Sequence, residues 1–282
     1  MAQVHWKVVE CPQRLKRYIR HTLKRFRVIY MSLCYNYFTT SNTILETALE
    51  PMFWIVDHST RYLGIIMVTI VVLLTTMVVM VTYICIFPHI LYQTDYFWSG
   101  VHLVFSHWLL MNIVFNYVMA AFTHPGHPPQ NVSEVVSICK KCIAPKPPRT
   151  HHCSICGKCV LKMDHHCPWL NNCVGYYNHR YFLQFIFYMW LGTIYSTFAG
   201  YDVFKQHFFG NKVCPLDLNI KELFNQFFHN AIVFEFVLCA GVSVALGLLF
   251  FWHARLISMG QTSIEVHVNN KERARLKKKN KV

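Results

Sequence analysis

Charged residues are scarce in this sequence, and acidic residues are the scarcest. Only 14% of the 282 residues are charged, and Asp and Glu together number 13, against 27 Lys and Arg. Hydrophobic residues make up 54% of the chain. A soluble domain usually carries more charge and less apolar surface. The composition therefore argues against an ordinary soluble protein and predicts a membrane protein.

Two further features are missing. The first 27 residues are basic and lack the short apolar run of a cleavable signal peptide, so we expect the first span to act as an uncleaved anchor. We find no internal repeat in the sequence. The C-terminal stretch "NNKERARLKKKNKV" predicts either a solvated helix or a disordered basic arm.

Four apolar segments are long enough to cross a bilayer, at about 62–87, 99–122, 181–201 and 231–252. A helix needs about 20 residues to cross the hydrocarbon core. Lys and Arg number nine before the first segment, none in 88–98, seven in 123–180, three in 202–230 and eight from 253 onward. The positive-inside rule then predicts that both termini and the loop 123–180 are cytosolic.

The cytosolic loop is rich in cysteine. Seven of the twelve cysteines fall within 35 residues, interleaved with histidines. A reducing compartment argues against disulfides. The paired spacings "CKKC" and "CSIC" are typical of zinc sites, and buried free thiols are the alternative interpretation. The cysteines are Cys139, Cys142, Cys153, Cys156, Cys159, Cys167 and Cys173.

One of these seven thiols has no place in the zinc sites. Two sites with three cysteines and one histidine each use six thiolates, and the remaining thiol is a candidate nucleophile if a base lies beside it. Cys167 fits best, because His165 lies two residues before it and Asp164 can orient that imidazole. Two alternatives stay open from the residues alone: Cys159 as the spare thiol, or Cys167 as a seventh ligand.

The run "CKKCIAPKPPRTHHCSICGKCVLKMDHHCPWLNNCVGYYNHRYF" resembles the cysteine-rich domain of the DHHC family of protein S-acyltransferases (palmitoyltransferases). Its flanks and the later "TSIE" are most similar to an endoplasmic-reticulum member of that family. The resemblance implies an all-α polytopic membrane protein. Four transmembrane helices would carry a cytosolic zinc-binding cysteine-rich domain between spans 2 and 3.

The resemblance also assigns residues. One zinc ion would be held by Cys139, Cys142, His152 and Cys159, and the second by Cys153, Cys156, His166 and Cys173. Cys167 would be the nucleophile, His165 the general base and Asp164 the residue that orients it. Two structural Zn²⁺ ions and acyl-CoA (palmitoyl-CoA) as co-substrate are implied. Candidates to bind the CoA phosphates, if they do more than mark the cytosolic side, are Lys140, Lys141, Lys146, Arg149, Lys158, Lys162 and Arg180.

The implied activity is transfer of a palmitoyl group to membrane-proximal cysteines of protein substrates, with the lipid bilayer and no nucleic acid as the other partners. The expected organisation is a basic amphipathic region (1–61), spans 1 and 2 (62–122), the DHHC domain (123–180), spans 3 and 4 (181–252) and a basic tail (253–282). The expected location is the endoplasmic reticulum membrane, with the Golgi as the alternative. Rival interpretations are a RING-like zinc adaptor, a nucleic-acid-binding zinc protein and a non-catalytic acyl-binding relative.

Overall fold

The computed structural model describes residues 10–34, 41–129, 137–210 and 222–279. The chain divides into two units, residues 1–57 and 58–282. The first unit contains helix α1 (Glu10–Cys34) and the beginning of α2 (Ser41–Val81). On α1, the exposed apolar side chains of Leu15, Ile19 and Phe26 alternate with basic residues, which is the pattern of a helix that lies at a membrane surface.

The second unit is mostly helical. The remainder of α2 continues through a π-helical turn (Thr82–Ile86) into α3 (Phe87–Gln93), and α4 (Tyr96–Phe122) follows. After the cysteine-rich segment come α5 (His179–Phe209), α6 (Glu222–Ser258) and α7 (Ser263–Lys279). The solvated-helix interpretation of the basic tail therefore holds for the described residues 263–279.

Within the described residues, four stretches are long and apolar enough to cross a membrane: Tyr62–Gln93, Tyr96–Phe122, His179–Phe209 and Gln226–Ser258. The predicted fold class of a mostly helical membrane protein with four spans is confirmed. Each helical stretch is longer than the apolar segment read from the sequence. The reason is that backbone hydrogen bonding carries a helix past the point where its side chains become polar.

Three small β-hairpins lie between the second and third spans. They pair β1 (Ser137–Cys139) with β2 (Ala144–Lys146), β3 (His151–Cys153) with β4 (Lys158–Val160), and β5 (His165–Cys167) with β6 (Asn172–Val174), all antiparallel. Every strand has three residues. Isolated hairpins of this length are not stable in water, so other interactions must hold them.

The three hairpins repeat every fourteen residues. Their first strands begin at residues 137, 151 and 165, and their second strands begin at 144, 158 and 172. The turn residue has positive φ at the equivalent position of each, with φ of 50° at Ile143, 65° at Gly157 and 49° at Asn171. Our expectation of no internal repeat is wrong. Besides Cys139, Cys153 and Cys167, the fourteen-residue spacing recurs in the side chains of Cys142 and Cys156, His152 and His166, and Cys159 and Cys173.

The third hairpin is attached to the end of the second span. Helix α4 ends with backbone carbonyls that have no partner within the helix. The side-chain amide of the buried residue Asn178 donates to the carbonyl of Ala120 (3.2 Å). The side-chain amide of Asn172 donates to the carbonyls of Ala121 and Thr123 (both 3.0 Å). Since α5 begins directly after Asn178 and packs on both α4 and α6, the hairpin is fixed against the helical bundle.

Gly175 lies where the third hairpin packs closely on the segment after α4. We expect Gly175→Ala to destabilise this packing. A β-carbon at this position would lie 2.6 Å from the Pro125 carbonyl oxygen and 2.6 Å from Val160 Cγ1. Such overpacking costs about 1–3 kcal/mol. The thermal midpoint of the detergent-solubilised variant should fall. Gly241→Ala is the matched control, since no described atom lies within 4 Å of its β-carbon. Equal midpoints for both variants would contradict the packing described.

Candidate active site and metal centres

Cys139, Cys142, His152 and Cys159 come together in one cluster whose ligand atoms lie within 4.8 Å of one another. The Cys142 sulfur is 3.2 Å from His152 Nδ1 and 3.8 Å from the Cys159 sulfur. A tetrahedral ion with bonds of zinc's length places two sulfurs about 3.8 Å apart, and a sulfur and a nitrogen about 3.6 Å apart. The observed separations fit a metal site. The two sulfurs are too far apart for a disulfide bond, whose length is about 2.05 Å.

Cys153, Cys156, His166 and Cys173 form a second cluster of the same kind. His166 Nδ1 lies 3.8, 3.3 and 3.6 Å from the sulfurs of Cys153, Cys156 and Cys173. The backbone N–H of Cys156 also donates to the Cys153 sulfur at 3.3 Å. Both ligand sets that the family resemblance assigns are therefore brought together, and each cluster could hold a metal ion.

Each cluster joins one hairpin to the next. The last residue of β1 and the turn after it supply Cys139 and Cys142, and the second hairpin supplies His152 and Cys159, which face each other across its strands. The turn of the second hairpin and the facing pair of the third make the other cluster in the same way. A metal in each cluster would therefore compensate for strands that are too short to persist alone.

Cys167 occupies the position of a metal ligand without being one. It lies fourteen residues after Cys153 and at the same place in its hairpin, but Leu170 stands where the preceding hairpins have Cys142 and Cys156. Cys159 lies in the first cluster and Cys167 in neither. Its thiol is 7% exposed and packs in an apolar cluster with side chains of α4 and α5, among them Ile113, Ala120, Phe182, Phe185 and Ile186.

His165 lies beside this thiol and is held by Asp164. Its Nδ1 donates to Asp164 Oδ2 at 2.6 Å, which leaves Nε2 for the Cys167 thiol. Burial lowers the pKa of His165, but the hydrogen bonds to Asp164 and Cys167 and the nearby negative charges outweigh it, and the pKa rises to about 9. The imidazole is therefore a stronger proton acceptor than a free histidine.

Asp164 is also bound from the far side of the chain. The carboxylate is 1% exposed, and at the start of α7 the Ser263 backbone N–H donates to its Oδ1 (2.7 Å) and the Ser263 hydroxyl to its Oδ2 (3.0 Å). Burial raises the pKa of Asp164. The hydrogen bonds from His165 and Ser263 lower this pKa by more than burial raises it, so the net pKa is below its usual value. The carboxylate stays ionised and can orient the imidazole.

A second contact fixes α7 to the cysteine-rich segment. The Arg149 guanidinium donates to both carboxylate oxygens of Glu265, at 2.5 and 2.8 Å, and to the Gly260 carbonyl at 3.0 Å. Glu265 accepts from the Thr262 backbone N–H (2.8 Å), as in a capping box. In the sequence, "TSIE" is recognisable only as a family element, because residues about 100 positions apart show no sign of contact in a sequence.

The chain was compared with known proteins. The family model of the DHHC palmitoyltransferases matches residues 133–270. Palmitoyltransferase ZDHHC16 of Mus musculus is 45% identical over 278 residues, covering 96% of this chain and 76% of the relative. Its Homo sapiens counterpart is 45% identical over 291 residues (96% and 77%), and ZDHHC16A of Danio rerio is 40% identical over 309 residues (96% and 79%). The resemblance to the DHHC family is confirmed, and the relatives named here are ZDHHC16 members of it.

Ser263→Ala tests whether α7 holds Asp164 in place. The variant loses the hydroxyl donor but keeps the backbone one, so we expect a lower thermal midpoint, by the equivalent of about 1 kcal/mol. The rate at which iodoacetamide alkylates Cys167, followed by mass spectrometry of the metal-loaded protein, should also fall. Ser263→Thr retains the hydroxyl and should behave like the wild type. If Ala and Thr behave alike, the hydroxyl has no positioning role.

Proposed function

Since the chain belongs to the DHHC palmitoyltransferase family and is a protein S-palmitoyltransferase, we propose that Cys167 is the nucleophile that carries the acyl group. One observation carries this assignment. Of the seven cysteines in residues 139–173, only Cys167 lies outside both metal clusters, and it alone contacts the Asp164–His165 pair.

The first half of the reaction loads the enzyme. His165 Nε2 takes the proton of the Cys167 thiol, and the sulfur forms a bond to the thioester carbonyl carbon of palmitoyl-CoA. The bond between that carbon and the CoA sulfur breaks. CoA then takes the proton back from His165, so that the imidazole returns to its starting state. Asp164 keeps the ring in the tautomer that presents Nε2 to the sulfur.

The second half transfers the acyl group to a protein. A cysteine thiol of a membrane-associated substrate attacks the acyl-Cys167 thioester, and His165 takes the proton of the incoming thiol. The Cys167 sulfur leaves and is protonated again by His165. Because one thioester replaces another, the reaction needs correct placement of the reacting groups more than it needs strong polarisation of a bond.

The two clusters would hold structural Zn²⁺ ions. Three thiolates and one imidazole suit zinc, and a site with four protein ligands has no open position for substrate. When bound, the ions supply rigidity rather than chemistry. The ligand His166 and the base His165 are neighbours on β5, so a fixed hairpin fixes the base as well.

The surroundings of Cys167 suit a long acyl chain. The thiol faces apolar side chains of α4 and α5, so the chain would extend between these helices while the CoA head stays in water. Among the basic residues that could meet the CoA phosphates, Arg149 is already bound to Glu265. Lys140, Lys141, Lys158 and Arg180 are exposed and are the better candidates.

The proposed orientation places the catalytic domain in the cytosol. The distribution of Lys and Arg supports cytosolic termini and a cytosolic DHHC domain at 123–180. The remaining boundaries are kept as the sequence predicts them, with spans in 62–122 and 181–252 and the basic regions 1–61 and 253–282 on the cytosolic side. By analogy with the family, the membrane is that of the endoplasmic reticulum. The acyl donor and membrane-proximal protein cysteines would both be accessible there.

Autoacylation tests the nucleophile directly. Purified wild-type protein incubated with labelled palmitoyl-CoA should take up hydroxylamine-sensitive label and carry two zinc ions per chain. Cys167→Ser should keep both zinc ions and take up no label. Cys153→Ser alters the equivalent position one hairpin earlier and should lose zinc. Equal labelling of wild type and Cys167→Ser, or loss of zinc from Cys167→Ser, would make Cys167 a structural residue.

Asp164→Asn tests the role of the carboxylate. Without the negative charge, the pKa of His165 should return towards its ordinary value of about 6.5, and the rate of autoacylation should fall by about 100-fold or more. The KM for palmitoyl-CoA should change little, since Asp164 does not face the donor. Asp202→Asn, which alters an exposed carboxylate on α5, is the control. A wild-type rate in Asp164→Asn would exclude the orienting role.

A further inference from the structure

Another group of ligand-type side chains lies directly behind the Asp164–His165 pair. Asp164, His179 at the start of α5 and His253 near the end of α6 each offer one ligand atom, and the three atoms lie within 4.8 Å of one another. His253 Nδ1 is 3.9 Å from Asp164 Oδ2. The group is therefore assembled from three separate elements of the fold.

Two nitrogens of this group have no partner. His179 Nε2 and His253 Nδ1 are both buried, and neither makes a hydrogen bond within the described part of the chain. His253 is only 3% exposed, and its neighbours include the ring of Phe182, 5.1 Å away. Buried polar atoms are normally satisfied. Two unsatisfied nitrogens beside one carboxylate indicate that something binds between them.

We propose that Asp164, His179 and His253 form a third metal site, for a divalent transition-metal ion such as Zn²⁺ or Co²⁺. Two imidazoles and one carboxylate are a donor set that these metals prefer, and they leave a coordination position open. The group contains no thiolate, so it differs in chemistry from both cysteine clusters.

Binding at this site is weaker than binding at the clusters. Ligands of one tetrahedral ion with bonds of about 2.0–2.2 Å lie about 3.4 Å apart, whereas His253 Nδ1 is 3.9 Å from Asp164 Oδ2. These two side chains must move closer to bind an ion. Asp164 must also share an oxygen that already accepts from His165 and Ser263. The site is therefore filled reversibly, at metal concentrations above those that fill the clusters.

A metal ion bound at this site would affect acyl transfer, an effect that rests on the proposed function. A cation on Asp164 Oδ2 competes for the charge that orients the His165 imidazole. Loss of an interaction that orients a reacting group reduces activity about tenfold or more. A bound ion therefore inhibits the loading of Cys167 without blocking access of palmitoyl-CoA.

The test uses the full-length purified protein, loaded with two zinc ions per chain and dialysed against Co²⁺. Metal analysis should find one Co²⁺ in addition to the two zinc ions. Its visible spectrum should show cobalt d–d bands without the charge-transfer bands of a cobalt–thiolate bond. That spectrum distinguishes a His/Asp site from exchange of Co²⁺ into a cysteine cluster.

His253→Phe removes one ligand while keeping an aromatic ring beside Phe182, and it should bind no Co²⁺ beyond the two zinc ions. His207→Phe is the matched control, because His207 is also a buried histidine (7% exposed) but lies at the other end of α5, beside His229. It should bind Co²⁺ like the wild type. His179→Phe provides a second ligand variant if His253→Phe does not fold.

The outcomes separate this site from the proposed function. Metal binding is measured without turnover, so a third ion in a protein whose Cys167 is never acylated would support the site and overturn the proposed function. Normal acylation with no Co²⁺ bound at millimolar concentration would overturn the site alone, and a water molecule would then bridge the two nitrogens. Equal Co²⁺ binding by wild type and His253→Phe would overturn the proposed site as well.

Added Co²⁺ should slow autoacylation of the wild type by about tenfold and leave the rate of His253→Phe unchanged.

Discussion

The geometry of the active site depends on the two Cys/His clusters that join successive hairpins. Strands of three residues cannot hold one another in water, yet β5 must present His165, His166 and Cys167 in fixed positions. Metal ligation at the two clusters would supply that constraint, because each cluster takes half of its ligands from one hairpin and half from the next. The asparagine contacts to α4 and the α7 contacts to Asp164 would then act on a segment that the metal ions already hold.

The fourteen-residue period explains how a thiol became available for chemistry. In the first two hairpins, the cysteine that ends the first strand lies with the cysteine three residues later in a cluster that could hold a metal ion. In the third hairpin, Leu170 replaces that second cysteine, and α5 begins where a fourth hairpin would have supplied the histidine and the other cysteine. Cys167 therefore keeps the position of a ligand but lies in neither Cys/His cluster, and it packs among apolar side chains instead. Its thiol is thereby left available for the role of nucleophile that we propose.

Much of the architecture could be predicted from the sequence. Hydropathy located the four spans, because a membrane requires about 20 apolar residues whatever the rest of the chain does. The resemblance grouped the eight cluster residues correctly in space, which spacing alone could not do. The contacts of Ser263 with Asp164 and of Arg149 with Glu265 could not be predicted, since no local pattern marks residues 99 or 116 positions apart as neighbours. The repeat was missed because the residues between its recurring cysteines and histidines differ from one hairpin to the next.

Asp164 is the point at which these constraints meet. One buried carboxylate accepts hydrogen bonds from His165 and from two donors of Ser263, and it has His253 3.9 Å away. Two oxygens offer about four lone-pair sites, so the three hydrogen bonds leave little capacity for a further partner. A fourth partner, whether water or cation, must share electron density with the bond that orients His165. Helix α7, His165 and His253 therefore meet at a single side chain, through which a change at one of them would act on the proposed nucleophile.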